Sequence, residues 1–422
     1  MVGAPKEPKT RVGKHASPKQ GAVYAPVARR IADGWQHRRL AVGLMAGTSL
    51  DGVDAALVRI TGSLEHPKVK LLNFLTTAYP SDLHHRLLHI ASSGTTSAGE
   101  ISELNFRVGD AFGRAALRVC GRAGVDANHL VVIGSHGQTI FHQGSQSGKS
   151  RTSTLQIGEP ALIAHLAGAP VVADFRTADL AAGGEGAPLV PMVDYLLFGD
   201  EREGTIALNT GGIANVTIIP ARARLDDVFG FDSGPGNMVM DALVRHFTSD
   251  REEYDSGGRV AAGGKVIEPI LRQALRHPFF RRRPPKSAGR EQFGPEFVSR
   301  YFLGKPNGRY EDLLRTAAEL TARSIAGALS KFAFPRLEPV GKLHRLVVSG
   351  GGAHNRFVMG RLQELLPALR LQLSNDYGLP VDAKEAIAFA ILADRTMHGL
   401  PGNLPSVTGA KRSVVLGKVV RT

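Results

Sequence analysis

From residue 40 onward the chain alternates short apolar runs with turns of small, polar residues. Residues 40–45 and 53–60 are apolar and flank Ala46-Gly47-Thr48-Ser49-Leu50-Asp51-Gly52, the pattern of a β-hairpin. A further strand is expected over 69–77. Helical spacing marks 82–91 and 102–122, the latter with Leu104, Val108, Phe112 and Leu117 near one face. Residues 130–133 read as a buried strand entering Gly134-Ser135-His136-Gly137, and residues 171–173 as another entering Asp174-Phe175-Arg176. A helix is expected over 192–198. A second hairpin follows, 205–208 and 213–219 about the turn Asn209-Thr210-Gly211-Gly212. It repeats the logic of the first, which hints at two related halves. Helices are expected over 235–247, 265–275 and 310–331. A strand at 343–348 runs into Ser349-Gly350-Gly351-Gly352-Ala353-His354-Asn355, and a last apolar-faced helix covers 384–397. Strands alternating with helices place the chain in the α/β class.

The 422 residues include 43% apolar and 21% charged positions, a globular balance. No apolar run is long enough for a membrane span, so no membrane partner is expected. The single cysteine, Cys120, excludes internal disulfides and fits a reducing, cytoplasmic setting. Half of the net charge of +14 lies in residues 1–39, where nine Lys and Arg face only Glu7 and Asp33. That segment reads as a disordered basic extension. A pI near 10.1 raises nucleic acid as a partner. Aromatic residues are only 6% and are not interleaved with the basic clusters, which argues against a single-strand binding platform.

Three Gly-rich turns carry the candidate chemistry. Gly47 and Gly52 allow close approach of a phosphate to the first hairpin, and Asp51 or Asp54 can hold Mg²⁺, usually through water. No P-loop motif occurs. Asn209–Asn215 supplies more amides, and the turn from Ser349 follows a strand and opens a helix, which suits a nucleotide. Asp232, in Gly230-Phe231-Asp232-Ser233-Gly234-Pro235-Gly236-Asn237, can serve as a general base in a cleft, or as a local turn or cap for the helix beginning near Pro235. His136 can orient a substrate or close its own turn. Arg176 can pair with a substrate anion or form a surface ion pair.

Eight segments in order, GLMAGTSLDGVDAAL, GSHGQTIFH, LQIGEPALIA, VVADFRTADLAAGGEGAPLVP, LNTGGIANV, GFDSGPGNMVMDAL, PPKSAGREQF and VVSGGGAHN, resemble the anhydro-N-acetylmuramic acid kinase family from about residue 40 to 397. The resemblance implies a two-lobed actin/hexokinase-like (ribonuclease H-like) fold with ATP in the interlobe cleft. It places 40–174 with 385–422 in the first lobe and 175–384 in the second. The implied reaction opens 1,6-anhydro-N-acetylmuramate by water attack at C1 and phosphorylates O6, giving N-acetylmuramate 6-phosphate and ADP in peptidoglycan recycling.

The same resemblance makes Asp232 the base and puts ATP on Gly47, Thr48, Ser49, Leu50, Asp51, Gly52, Val53 and Asp54. It also implies that Arg176 and Glu385 line the sugar site, while the residues themselves make Asn209, Gly211, Gly212, Gly350, Gly351, Gly352 and Asn355 further nucleotide candidates, His136 a substrate-binding candidate and Asp51 a candidate for Mg²⁺ through water. A homodimer is also implied. Ala46 stands where the family usually has Ser, one hydroxyl fewer beside the phosphates. The alternatives are a kinase of the same fold for another sugar hydroxyl, an ATP-driven binding module, or a basic nucleic-acid-binding protein.

Overall fold

In this computed structural model the described residues are 38–47, 50–93, 95–144, 152–303, 308–337 and 343–421. The basic extension, apart from its last two residues, lies outside them, as do Thr48 and Ser49.

Two sheets share one wiring. In the first, β1 (Arg39–Met45), β2 (Gly52–Gly62) and β3 (Pro67–Ala78) form an antiparallel meander. Then β4 (Val132–Ser135) joins parallel to β1, and β7 (Val171–Ala173) parallel to β4. In the second sheet β8 (Gly204–Thr210), β9 (Ile213–Ile219) and β10 (Phe229–Pro235) form the meander. There β11 (Leu343–Ser349) joins parallel to β8 and β12 (Arg370–Leu373) parallel to β11. β5 (Gln138–Gln143) and β6 (Ser153–Ile157) make a separate hairpin, and β13 (Lys418–Val420) closes the first sheet against β7. A three-strand meander followed by two parallel strands, present twice, is the duplicated ribonuclease H-like arrangement of the actin/hexokinase-like fold. The hint of two related halves is thereby realised in topology.

Each sheet buries one face under its own helices. Leu104, Val108 and Phe112 of the helix Ala98–Arg122 pack beneath the first sheet, joined by Ala115, Ala116 and Val119. Leu117, expected on that face, is exposed, because it lies five positions beyond Phe112, which turns it off the stripe. The helices Met238–Thr248 and Tyr310–Ala328 do the same for the second sheet. The opposing faces share a third core around the helix Lys384–Met397, with Ala41, Ala56 and Val132 from one sheet and Ala207, Ile219 and Val347 from the other.

Why that helix lies so close is legible in two strand glycines. Gly43 of β1 and Gly134 of β4 are register partners. A Cβ on Gly43 would stand 1.7 Å from Ala386 O, and one on Gly134 would stand 2.1 Å from Phe389 O. The helix backbone therefore rests directly on the sheet, an approach only glycine permits.

Some boundaries move. Arg39, counted with the basic extension, opens β1 and is 3% exposed, pairing with Asp394 at 2.9 Å. The strand expected at 130–133 runs Val132–Ser135, and the helix expected from 265 begins at Glu268. The helix expected from Pro235 begins at Met238, with Asn237 at its cap position. Strands β5, β6, β10, β12 and β13 had no predicted counterpart. The C-terminal segment also reaches the second sheet, where Ser406 Oγ donates to Val228 O.

Candidate active site

The C-terminal ends of the parallel strands deliver the candidate residues. After β4, His136 is 3% exposed and its Nδ1 lies 2.9 Å from Gly137 O, which fixes the tautomer with the proton on Nδ1. Its Nε2 then accepts from Arg176 Nε at 3.1 Å and Nη2 at 3.0 Å. Burial, with Arg176 adding to it, holds His136 down to about 3, so the ring is neutral and acts as an acceptor. Arg176, just past β7, also donates from Nη1 to Gly186 O. Burial lowers it to about 10 and the Glu385 carboxylate opposes that. His136 thus aims Arg176, and the surface ion-pair reading of Arg176 does not hold.

Glu385 opens the helix Lys384–Met397 between the lobes and accepts from Asn209 Nδ2 at 3.0 Å. Burial raises its pKa, against the Asn209 bond and the Lys384 and Arg176 charges. The next residue back, Lys384, is buried and pairs with Asp194 at 2.7 Å while donating to Ser349 Oγ at 3.1 Å. Asp194 accepts in turn from Thr217 of β9. Pattern reading overlooked this pair, because charged residues at helix ends ordinarily face water.

In the first hairpin Leu50 sits at φ 62 and is 2% exposed, with its amide donating to Gly47 O at 3.4 Å. Gly47 O also accepts from Gln138 Nε2. Gly52 is needed for a different approach from the expected one, since its Cβ would meet Thr77 O of β3 at 2.4 Å. The side chains of Leu50 and Val53 are core, so they can offer a phosphate only backbone groups. Ala46 is core as well, at 3% exposure. Asp54 accepts from Thr76 Oγ1 at 2.6 Å. Burial lifts it to about 6 against that bond, and the Asp51, Glu385 and Asp382 carboxylates add to the rise. Oxygen donors of this kind suit a hard cation such as Mg²⁺. Among the described residues no three His, Cys, Asp or Glu side chains are placed to hold a metal by themselves.

The Gly-rich turns of the second lobe converge. Asn237 N donates to Gly211 O at 2.8 Å and Gly236 N to Gly212 O at 2.9 Å, so the β8–β9 turn is docked on the start of the helix Met238–Thr248. Gly350, at φ 81, has Asn209 Oδ1 and Thr210 O within 2.8 Å of where a Cβ would stand, and Gly352 abuts Thr210. Gly351 lies near Asn237. Asn355 caps the helix Arg356–Leu365 by accepting from Val358 N at 3.1 Å. Its side chain thus has a structural duty of its own.

Asp232 occupies β10 itself, so it caps no helix and makes no local turn. Its Oδ2 accepts from Ala288 N at 2.7 Å, and its own amide donates to Lys286 O at 3.0 Å. Burial raises it to about 7, opposed by the Ala288 bond and by Lys286. Register ties it to the rest: Asp232 pairs with Asn215, Asn215 with Asn209, and Asn209 with Ser349. Residues directly opposite share a face, so one polar row crosses four strands, with Asp232 about 10 Å from Asn209 at two strand spacings. Asn209 in turn holds Glu385. The row brings the base candidate, the turn glycines and the interlobe carboxylate to one end of one sheet.

A family profile described as Anhydro-N-acetylmuramic acid kinase matches residues 39–422. The Anhydro-N-acetylmuramic acid kinase of Caldanaerobacter subterraneus subsp. tengcongensis is 43% identical over 91% of this chain and 97% of its own length. That of Bacillus thuringiensis subsp. konkukian is 42% identical over 90% and 98%. Among solved structures, a ROK family glucokinase from Streptomyces griseus in complex with glucose and AMPPNP is 14% identical over 84% of this chain and 99% of that one. Its TM-score is 0.37, a likeness too slight to add weight.

Proposed function

The chain belongs to the anhydro-N-acetylmuramic acid kinase family and is a phosphotransferase, and from that premise we propose that Asp232 is the base of a coupled hydrolysis and phosphoryl transfer. The substrate is 1,6-anhydro-N-acetylmuramate, with ATP as phosphoryl donor. Water attacks C1, its proton passes to Asp232, the C1–O6 bond breaks, and O6 takes the γ-phosphoryl group. The products are N-acetylmuramate 6-phosphate and ADP.

The observation that carries this reading is the setting of Asp232. Water is a poor nucleophile and needs a carboxylate whose proton affinity is matched to neutral pH. A buried Asp raised to about 7 and steadied by one backbone N–H has that affinity. Arg176, aimed by a neutral His136, is a donor for an anionic or hydroxyl group of the sugar, and Glu385 is an acceptor for its hydroxyls. The turns at Gly47–Asp54, Gly211–Gly212 and Gly350–Gly352 cradle the nucleotide. Mg²⁺ would be held at Asp51 through water and by phosphate oxygens, where it would neutralise charge on the transferring group. The reading also takes the chain to act in the cytoplasm as a homodimer, with family membership as support.

Mass spectrometry of the product formed in ¹⁸O-labelled water tests it. A phosphorylated sugar carrying one solvent oxygen at C1, absent with Asp232→Asn, is expected. A phosphorylated sugar with no solvent oxygen, read before anomeric exchange, would sink the coupled reaction.

A further inference from the structure

Beside Asp232 lies a charged group that the reaction above does not use. Lys286 sits in a run, Arg281-Arg282-Arg283-Pro284-Pro285-Lys286, that reads as a basic loop. It is nonetheless 4% exposed, and its Nζ has no hydrogen-bond partner among the described residues. The ammonium is boxed by three rings instead, with centroids at 4.4 Å for Phe279, 5.0 Å for Phe332 and 5.8 Å for Phe231. Ring faces attract a cation, but they replace only part of the hydration it has given up.

The segment carrying it is wrapped around the base. Lys286 O receives the Asp232 amide, and the Ala288 amide holds the Asp232 carboxylate. Phe231, the residue before Asp232, forms one wall of the box. The charged neighbours of Asp232 are Lys286 and Glu291, and those of Lys286 are Asp232, Lys331 and Arg282. Lys331 and Arg282 disfavour the Lys286 charge, and the Asp232 carboxylate is the neighbour that favours it.

We propose that Lys286 is a positioning residue whose caged, unpartnered charge keeps Asp232 ionised and so ready to accept a proton. This rests on Asp232 being the base. Burial brings Lys286 down to about 8 while Asp232 lies at about 7, so the Lys⁺/Asp⁻ state persists between those values. The three rings keep the ammonium from leaving for water or for a competing acceptor. Its effect on the reaction is electrostatic, through Asp232, with no contact to substrate required.

The test is the pH profile of kcat/KM for the full chain with Lys286→Met, whose side chain fits the same box without charge. The acid-side midpoint should rise by about one pH unit, with the high-pH plateau retained, so that activity well below the midpoint falls roughly tenfold. Thermal stability should be unchanged or higher, because an unpaired buried charge has been removed. Lys331→Met, which removes another ammonium beside Phe332 that does not act on Asp232, should leave the midpoint in place. Lys286→Gln removes the same charge, and whichever variant folds decides. A folded variant with an unmoved midpoint overturns the inference, as does failure of both to fold. If instead Asp232→Asn keeps its activity, it is the reading of Asp232 as base that fails.

Discussion

Gly43→Ala tests whether the packing of one helix on one strand holds the interlobe site in place. The added methyl would stand 1.7 Å from Ala386 O and 2.7 Å from Ala390 N, both backbone atoms that no rotamer change can move aside. Restoring ordinary contact requires the helix Lys384–Met397 to retreat by roughly 1.5 Å, and overpacking of this kind costs about 3 kcal/mol or more. The thermal midpoint should drop by about 4 °C. The helix begins beside Glu385, whose bond to Asn209 is 3.0 Å long, so the same retreat breaks that bond. KM for the anhydro sugar should rise about tenfold while KM for ATP changes little. Gly360→Ala is the control. Gly360 is exposed within the helix Arg356–Leu365 with nothing within 4 Å of a Cβ, and the change should stabilise by about 0.5–1 kcal/mol. Differential scanning fluorimetry and steady-state kinetics on the two variants suffice. A Gly43→Ala protein melting within about 1 °C of the parent would refute the reasoning.

Other outcomes follow from the site. Asp232→Asn should lower the rate by about 10²–10⁴ with ATP affinity retained, read by ADP release and nucleotide titration. Asp179, fully buried, accepts from Gly186 N, Asn403 and Thr408 and so fixes the loop whose carbonyl binds Arg176; Asp179→Asn should raise KM for the sugar more than it lowers kcat. His136 is held at about 3, below its ordinary 6.5, so the unfolded chain takes up its proton first and stability falls as pH drops from 6.5 toward 3. That loss is on the order of 2–4 kcal/mol, and His136→Gln should flatten it in urea midpoints measured across the range.

What the sequence disclosed, it disclosed through pattern. The first two hairpins and the helices at 102–122, 310–331 and 384–397 have periodicity long enough to read. The strand at Phe229–Pro235 does not: Gly230, Gly234 and Pro235 look like loop residues, and only pairing along β9 makes them a strand. That single miss is what keeps a local turn or cap open for Asp232 beside the general-base reading. Lys286 was invisible for a related reason, since nothing in a run of arginines marks the one cation that will face three rings. Asn355 and Gly52 carry duties that their motifs do not announce. Both lie in motifs that look made for nucleotide, and each has a local duty, a helix cap or a close strand crossing, that fixes the residue type independently.

The duplicated wiring explains why the site gathers where it does. In open α/β sheets, ligand-binding loops leave the carboxyl ends of the parallel strands. In the first sheet the chain leaves β1, β4 and β7 at Met45, Ser135 and Ala173, and the next few residues are Gly47, His136 and Arg176. In the second it leaves β8 and β11 at Thr210 and Ser349, followed by Gly211 and Gly350. Two copies of one topology, set face to face across the helix Lys384–Met397, thus aim five loops at one another without any loop being long. Glu385, at the start of the shared helix, stands between them: it is bonded to Asn209 of one sheet and feels the charge of Arg176, which follows a strand of the other. The Asn209–Glu385 bond joins the second sheet to the shared helix, so on the proposed sugar-binding role of Glu385 it would link nucleotide turn and sugar site. Asn209→Ala should therefore weaken the dependence of sugar affinity on bound nucleotide, measured by titrating the sugar with and without a non-hydrolysable ATP analogue. Equal coupling in the variant would show that the lobes communicate by another route.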